Sequence, residues 1–323
     1  MSQPTSVQIL RLGTRGSLLA LAQGRLVAEQ LQQQHRDLRV EMTVLRTSGD
    51  QITERPLHEL GGKGLFIKEL EQALLAGAID FAVHSLKDVP VTMPLVDQAN
   101  LTIAAVLPRE DARDVTVSRD GADLKSLPTS ARVGTGSLRR RCQVLALRPD
   151  LMIEPVRGNI DTRLRKLRDG DFDAVILARA GLHRAGLFDP SIMRELDPAE
   201  LLPAPGQGAL ALQCRRDDAA TRERLSVLND PATEACVAAE RELVRLLEGD
   251  CHSPIAALAL IHGERMDLRA AVGAAGGSPP VIRADSAGPA ADAHAVARHA
   301  FAALTSQGVA SLLSRPGQTD AAR

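Results

Sequence analysis

The chain has 323 residues, 44% of them apolar and 24% charged, with 39 Lys and Arg against 40 Asp and Glu; that balance suits packed cores and excludes disorder as the overall state. Near-neutrality, and an aromatic content of five Phe with no Trp or Tyr, argue against a general nucleic-acid binder and against stacking platforms for bases or sugars. No stretch approaches ~20 consecutive apolar residues, so a membrane-spanning helix is not expected, and the polar start, Met1 to Ser6, has no secretory pattern, which makes the cytoplasm the default location. At ~150 residues per domain, the length suggests two domains and allows three.

The first two-thirds of the chain alternates strand and helix patterns. Val7 to Leu12 reads as a strand and Leu18 to Gln33 as a helix, with Leu19, Ala22, Leu26, Val27 and Leu31 on one side. Val40, Met42 and Val44 alternate as in a strand; Leu65 to Leu75 reads as a helix and Asp80 to His84 as a short strand. Leu101 to Leu107 and Val115 to Val117 are strand-like and mark a crossing between domains. A second set has a strand ending near Val133, a helix from about Ser137, a strand Met152 to Val156, a helix Ile160 to Leu167 and a strand Phe172 to Ala178. Such alternation predicts α/β domains with mostly parallel sheets. Pro203 to Gly208 is a breaker cluster, and Ala209 to Gln213 is a strand able to return to the first sheet. Thereafter come a helix over Ala232 to Leu247, strands Ala256 to Ile261, Met266 to Val272 and Val281 to Ala284, and a helix Ala291 to Thr305, a smaller α+β domain. The expected division is 1–106 with 209–228, 107–208, 229–313, and a frayed tail over 314–323.

Five segments can carry chemistry. Ser85, Lys87 and Asp88 follow a short strand within His84 to Pro90, at a strand's carboxyl end where open α/β sheets bind ligands. Val133 to Arg140 runs a strand into glycine-rich backbone and a helix start, a setting for an anion. Position 139 is Arg where a dinucleotide fingerprint needs its third Gly. From Arg139 to Arg168 there are nine basic and three acidic residues, net +6 in a neutral chain. Such a run is usually a solvated helix face; here Arg157 follows a strand and Arg163 opens the next helix, which repeats the geometry at Arg139 and suggests a site for carboxylates or phosphates. Arg15-Gly16-Ser17 is a third strand-to-helix turn. Gly61-Gly62-Lys63-Gly64 is not a P-loop, since Leu57 and Gly64 break the pattern, but suits a lid that delivers Lys63. Finally, Cys251 lies in the Gly- and Pro-bounded segment Glu248 to Pro254, a less inert setting than a strand. Cys142, Cys214 and Cys236 read as buried thiols, and no Cys/His run has zinc spacing, so no metal is expected.

Together these segments closely resemble the porphobilinogen deaminase (hydroxymethylbilane synthase) family from about Leu10 to the last helix. The resemblance rests on Gly61 to Glu69 (GGKGLFIKE), Ala82 to Pro90 (AVHSLKDVP), Gly134 to Arg140 (GTGSLRR), Arg157 to Arg163 (RGNIDTR) and Pro205 to Gly208 (PGQG). It implies two lobes like those of periplasmic binding proteins with the active cleft between them, and a smaller third domain carrying a dipyrromethane cofactor on Cys251 through a thioether. It implies a transferase that condenses four porphobilinogens head to tail with loss of ammonia, then releases hydroxymethylbilane by hydrolysis. Each pyrrole carries an acetate and a propionate, so the +6 segment meets a need of this chemistry.

By the same resemblance Asp88 is the catalytic residue, contacting pyrrole N–H groups and stabilising the cation left as ammonia departs. Ser85, Lys87, Asp88, Thr135, Ser137, Arg139 and Arg140 join Cys251 in holding the cofactor. Arg15, Ser17, Arg157, Arg163, Arg184, Gln207 and Gly208 bind substrate, and Lys63 and Phe66 belong to the lid. A monomer with neither nucleic-acid nor membrane partner is implied. The chain departs from the common family pattern at Gly136, where many relatives have Ser, and at Asp250 and His252 around the cysteine. A two-lobed anion receptor is the main rival reading, with no use for Cys251; a phosphate-using transferase is the second, weakened by the failed phosphate-loop patterns.

Overall fold

The computed structural model describes residues 7–45, 67–91, 99–250 and 253–314. Lys63, Phe66, Cys251 and the tail beyond Ser314 lie outside the described residues. In chain order the elements are β1 (Gln8–Arg15), α1 (Leu18–Gln34), β2 (Leu38–Leu45), α2 (Lys68–Leu75), β3 (Phe81–Ser85), a 3-10 turn (Leu86–Asp88), β4 (Leu101–Val106), β5 (Asp114–Ser118), β6 (Arg132–Gly134), α3 (Leu138–Leu147), β7 (Met152–Glu154), α4 (Ile160–Arg168), β8 (Ala174–Ala178), α5 (Arg179–Arg184) and β9 (Met193–Glu195). They continue with β10 (Leu210–Arg215), α6 (Ala219–Ser226), α7 (Pro231–Leu246), β11 (Ile255–His262), β12 (Arg265–Val272), β13 (Ile282–Pro289), α8 (Ala293–Ser306) and α9 (Val309–Leu313). The chain divides into two compact units, 1–110 with 209–234 and 111–208 with 235–323.

The first unit is built on a five-stranded sheet of order β2-β1-β3-β10-β4. β1 runs parallel to β2 and β3, as helical crossovers require, while β10 returns antiparallel between β3 and β4. Side chains alternate across β3. Phe81 and Val83 pack with Val27, Ala28 and Leu31 of α1, whereas Ala82 packs with Leu70 and Leu74 of α2. Both faces are covered, which is why β3 and β10 open on unbroken apolar runs, Phe81 to Val83 and Leu210 to Leu212. A fully buried side chain such as Phe81 or Leu12 stabilises by about 1.5–3 kcal/mol.

The second unit holds two sheets. One has the order β7-β6-β8-β5-β9, and the other is the antiparallel meander β11-β12-β13, covered by α8 through Val296, Ala297, Ala300 and Leu304. Leu202 joins Ala256, Leu258 and Ala271 in one apolar cluster, so the meander packs on the segment that follows β9. Asp292 caps α8 by accepting from the Ala295 amide at 2.9 Å.

Each five-stranded sheet has two parallel and two antiparallel pairings, where helix–strand alternation alone predicts mostly parallel ones. The return strands β10 and β5 account for the difference. The expected helix over Leu65 to Leu75 is described from Lys68, and the expected strand from Phe172 begins at Ala174, with Phe172 turned into the core beside Val175. The short elements α5, β9, α6 and α9 have no counterpart in the expected pattern, because three to eight residues give too little periodicity to detect.

Candidate functional site

In the first unit β1 and β3 are parallel neighbours, so Arg15-Gly16-Ser17 and Ser85 to Asp88 leave the same edge of the sheet. Ser17 is the N-cap of α1 and accepts from the Ala20 amide at 3.3 Å. Ser85 exchanges a 3.0 Å hydrogen bond with Gln23, a buried residue of α1, which ties the end of β3 to that helix. Beyond it the chain makes one 3-10 turn. Leu86 is buried and the Val89 amide closes the turn on the Leu86 carbonyl at 3.1 Å. That anchor presents Lys87 half-buried and Asp88 exposed, and Pro90 stops any continuation as a helix.

Behind this loop lies a buried polar chain. Gln213 of β10 donates through Nε2 to Glu71 Oε1 at 2.9 Å and accepts through Oε1 from His84 Nε2 at 2.9 Å. The arrangement has the neutral imidazole carry its proton on Nε2. Burial pushes the His84 pKa down to about 4, against the opposing pull of the Gln213 hydrogen bond.

In the second unit β6 is the parallel neighbour of β7 and β8, and its end forms the turn Gly134 to Ser137. A Cβ at Gly134 would lie 3.1 Å from both Phe172 and Val175, so glycine permits the close strand packing. Thr135 is buried, and its Oγ1 accepts from the Ser137 amide at 3.3 Å. Ser137 stands at the N-cap of α3 without a side-chain capping bond. A Cβ at Gly136 would sit 3.3 Å from the Val156 carbonyl oxygen, which puts this turn directly beside the segment carrying Arg157.

Arg139 and Arg140 point inward from α3 and are 3% and 6% exposed. Both bind Asp114, the fully buried first residue of β5. Arg139 Nη2 donates to Oδ2 at 2.8 Å and Arg140 Nη2 to Oδ1 at 2.7 Å. Their other terminal nitrogens donate to the Leu202 and Ile176 carbonyls at 2.5 and 2.9 Å. Burial opposes ionisation of Asp114, but the charges of Arg139 and Arg140 prevail and hold its carboxyl well below the usual range. Gln207, 1% exposed, donates through Nε2 to Asp114 Oδ1 at 2.8 Å and to the Ala112 carbonyl at 2.6 Å.

Gly206 and Gly208 both take positive φ, +73° and +91°, the conformation that needs glycine. Arg184 Nη2 donates to the Gly208 carbonyl at 2.7 Å, so two of the expected substrate residues meet directly. Arg163 Nε donates to the Gly158 carbonyl at 2.8 Å, and Arg157 is half-buried after β7.

The basic run is therefore not one solvated face. Arg141 is tied to the Ile153 carbonyl, and Arg148 clamps the Leu124, Lys125 and Leu127 carbonyls together with Asp150. Those cations organise backbone. Asp114 is the residue that sequence reasoning missed; its only signal was an acidic residue opening a strand that is otherwise apolar and hydroxyl-bearing.

Comparison with known proteins matches residues 10–223 to the family "Porphobilinogen deaminase, dipyromethane cofactor binding domain" and residues 234–305 to "Porphobilinogen deaminase, C-terminal domain". The chain belongs to the porphobilinogen deaminase family. The porphobilinogen deaminase of Syntrophobacter fumaroxidans is 47% identical over 306 residues, 95% of this chain and 97% of that protein. That of Nitrobacter winogradskyi is 50% identical over 260 residues, 80% and 81% of the two chains. Among solved structures, the Bordetella pertussis BvgS periplasmic VFT2 domain is similar at TM-score 0.37 and 16% identity, over 68% of this chain and 85% of that one.

The cofactor-binding match of the porphobilinogen deaminase family spans every strand-end loop described above. The residues present fit an anionic group. Two buried guanidiniums share a single carboxylate, which leaves one positive charge, and Nε of both Arg139 and Arg140 is buried with no acceptor among the described residues. Buried charges without a partner are costly, so such a site favours a further anion. The hydroxyls of Thr135 and Ser137 stand on the adjoining turn.

Proposed function

We propose that this chain is a hydroxymethylbilane synthase. It joins four porphobilinogens head to tail, loses one ammonia at each addition, and frees the linear tetrapyrrole by hydrolysis. The observation that carries the reading is the match of 10–223 to a dipyromethane cofactor binding domain, together with a buried arginine pair that carries one uncompensated positive charge.

The covalent dipyrromethane, attached through Cys251, would supply the nucleophilic pyrrole carbon on which the product is extended. Arg139, Arg140, Thr135, Ser137, Ser85 and Lys87 would hold its acetates and propionates. Their work is electrostatic, since fixed donors in a poorly hydrated site bind carboxylates without reorganising. Arg15, Ser17, Arg157, Arg163, Arg184, Gln207 and Gly208 would receive the incoming porphobilinogen.

Asp88 is the catalytic residue in this reading. Its turn is anchored by Leu86 and leaves the carboxylate exposed, so it can accept a pyrrole N–H and stabilise the positive charge that develops as ammonia leaves. It would also be placed to take the proton whose loss from the newly bonded pyrrole carbon restores aromaticity. The lid role of Lys63 and Phe66 belongs to the same reading. The division 1–106 with 209–228, 107–208 and 229–313 goes with this reading, supported by the separate family match at 234–305. We further take the protein to act as a monomer in the cytoplasm, on a small-molecule substrate; no helix among the described residues is long and apolar enough to cross a membrane.

The intact mass of the denatured protein tests the proposal. The expected result is an excess equal to two porphobilinogens less two ammonias, absent from Cys251→Ser. A protein that stays at its unmodified mass after incubation with porphobilinogen and with preformed hydroxymethylbilane would overturn it and favour an anion receptor.

A further inference from the structure

Asp114 gathers three of the expected site residues yet lies too deep to touch a ligand, with its side chain fully buried. Its Oδ2 takes Arg139, and its Oδ1 takes Arg140 and Gln207, all within 2.8 Å. A buried ionic cluster is often less stabilising than apolar packing of the same volume, so stability alone is a weak reason for it. Its geometry has a clearer consequence. Each guanidinium is fixed at Asp114 and at one backbone carbonyl, Leu202 for Arg139 and Ile176 for Arg140. Two fixed points on a planar group set the direction of its remaining edge, and that edge carries the unpartnered Nε.

The same carboxylate reaches the segment between β9 and β10. That segment is pinned at Leu202 by Gln143, at Gly206 by Glu240 Oε2 at 2.7 Å, and at Gln207 by Asp114 itself. We propose that Asp114 is a positioning residue. It aims Arg139 and Arg140 at a ligand carboxylate, keeps the site's net charge at one, and locks Gln207 to the arginine pair. The inference rests on the proposed pyrrole-carboxylate ligand.

Asn at 114 keeps the shape but offers one acceptor oxygen. Placed as Oδ1 it still serves Arg140 and Gln207, and its amide then opposes Arg139. The test uses full-length apoprotein in four forms: unaltered, Asp114→Asn, Arg139→Gln, and both together. Each is incubated with preformed hydroxymethylbilane, and acquisition of the covalent group is followed by intact mass, with circular dichroism and thermal unfolding to check the fold.

Asp114→Asn should load at least ~10-fold more slowly, the loss expected for a hydrogen bond to a charged group. The double variant should be no slower than Arg139→Gln alone, because the two residues act as one. Loading of Asp114→Asn at the unaltered rate, or losses that multiply in the double variant, would overturn the proposal. If Asp114→Asn fails to fold, the double variant restores the original net charge and is compared with Arg139→Gln; failure of both to fold would make Asp114 a scaffold residue and also defeat the proposal. An unaltered protein that never gains the mass would defeat the functional reading instead.

Discussion

In the first sheet β3 lies between parallel β1 and antiparallel β10; in the second, β8 lies between parallel β6 and antiparallel β5. The strand order is the same in both, yet what each buries beside its return strand differs. The first buries a polar chain, His84 to Gln213 to Glu71, and puts the acid of its strand-end loop, Asp88, out in the open. The second buries its acid, Asp114, under two arginines. One architecture thus supports an accessible carboxylate on a strand-end loop in one unit and a concealed one paired with arginines in the other. Accessibility suits a group that meets a substrate proton, and concealment suits a group that fixes cations. Residue type alone does not separate these roles; position relative to the strand end does.

The largest test of that contrast is Asp88→Ala. The residue is exposed and anchored by its neighbours, so the fold should persist while turnover falls by about 10²–10⁴, the usual range for a general acid–base group. Steady-state assay of tetrapyrrole formation, with thermal unfolding alongside, measures both. Near-normal turnover would remove Asp88 from the chemistry and leave the accessible acid of the first unit without a role.

Acid stability separates the two buried clusters next. His84 has its pKa pushed down to about 4, from an ordinary value of 6.5. The unfolded chain takes up a proton that the folded chain refuses, so this contribution is complete above pH 6.5 and is lost as pH falls toward 4. At 1.36 kcal/mol per unit the loss is about 3 kcal/mol. Asp114 behaves in the same direction but in a lower window. Its folded pKa lies below the ordinary 3.8, so its contribution is present above that pH and is lost only on further acidification. Urea unfolding at pH 7.5, 6, 5 and 4.5 should show a shallower decline for His84→Gln than for the unaltered protein. Equal slopes would mean that His84 is not the group excluding the proton.

These particulars also show what was legible in the sequence. Leu18 to Gln33 and the first two meander strands have long periodic patterns, and their boundaries fell within about one residue of those in the structure; the third, expected to end at Ala284, runs on to Pro289. The strand-end turns were legible because glycine and arginine sit where strands pass into helices. The pairing of β10 with β3 was visible only as a strand able to return, since nothing local fixes its direction. Asp114 was hidden for a physical reason. Its partners Arg139, Arg140 and Gln207 lie 25 to 93 residues away, and a buried ionic cluster has no periodic signature. The same blindness let Arg148 count toward the +6 of the Arg139 to Arg168 segment, although it is a carbonyl clamp.

The finest distinction lies between two serines at equivalent turns, each opening the helix after the first parallel strand of its sheet. Ser17 caps α1 through its hydroxyl, while Ser137 makes no such bond at α3. Removing an N-cap oxygen costs about 1 kcal/mol, so Ser17→Ala should lower stability by that amount in urea unfolding. Ser137→Ala should change stability by less than ~0.5 kcal/mol, as surface substitutions away from specific contacts do. The proposed ligand reverses their order in function. A hydroxyl not engaged by its own helix is available to a carboxylate, so Ser137→Ala should slow acquisition of the covalent group while Ser17→Ala leaves that step nearly unchanged. Equal stability losses would show that Ser137 caps its helix in solution after all, and the availability of its hydroxyl would no longer distinguish the second unit's turn from the first.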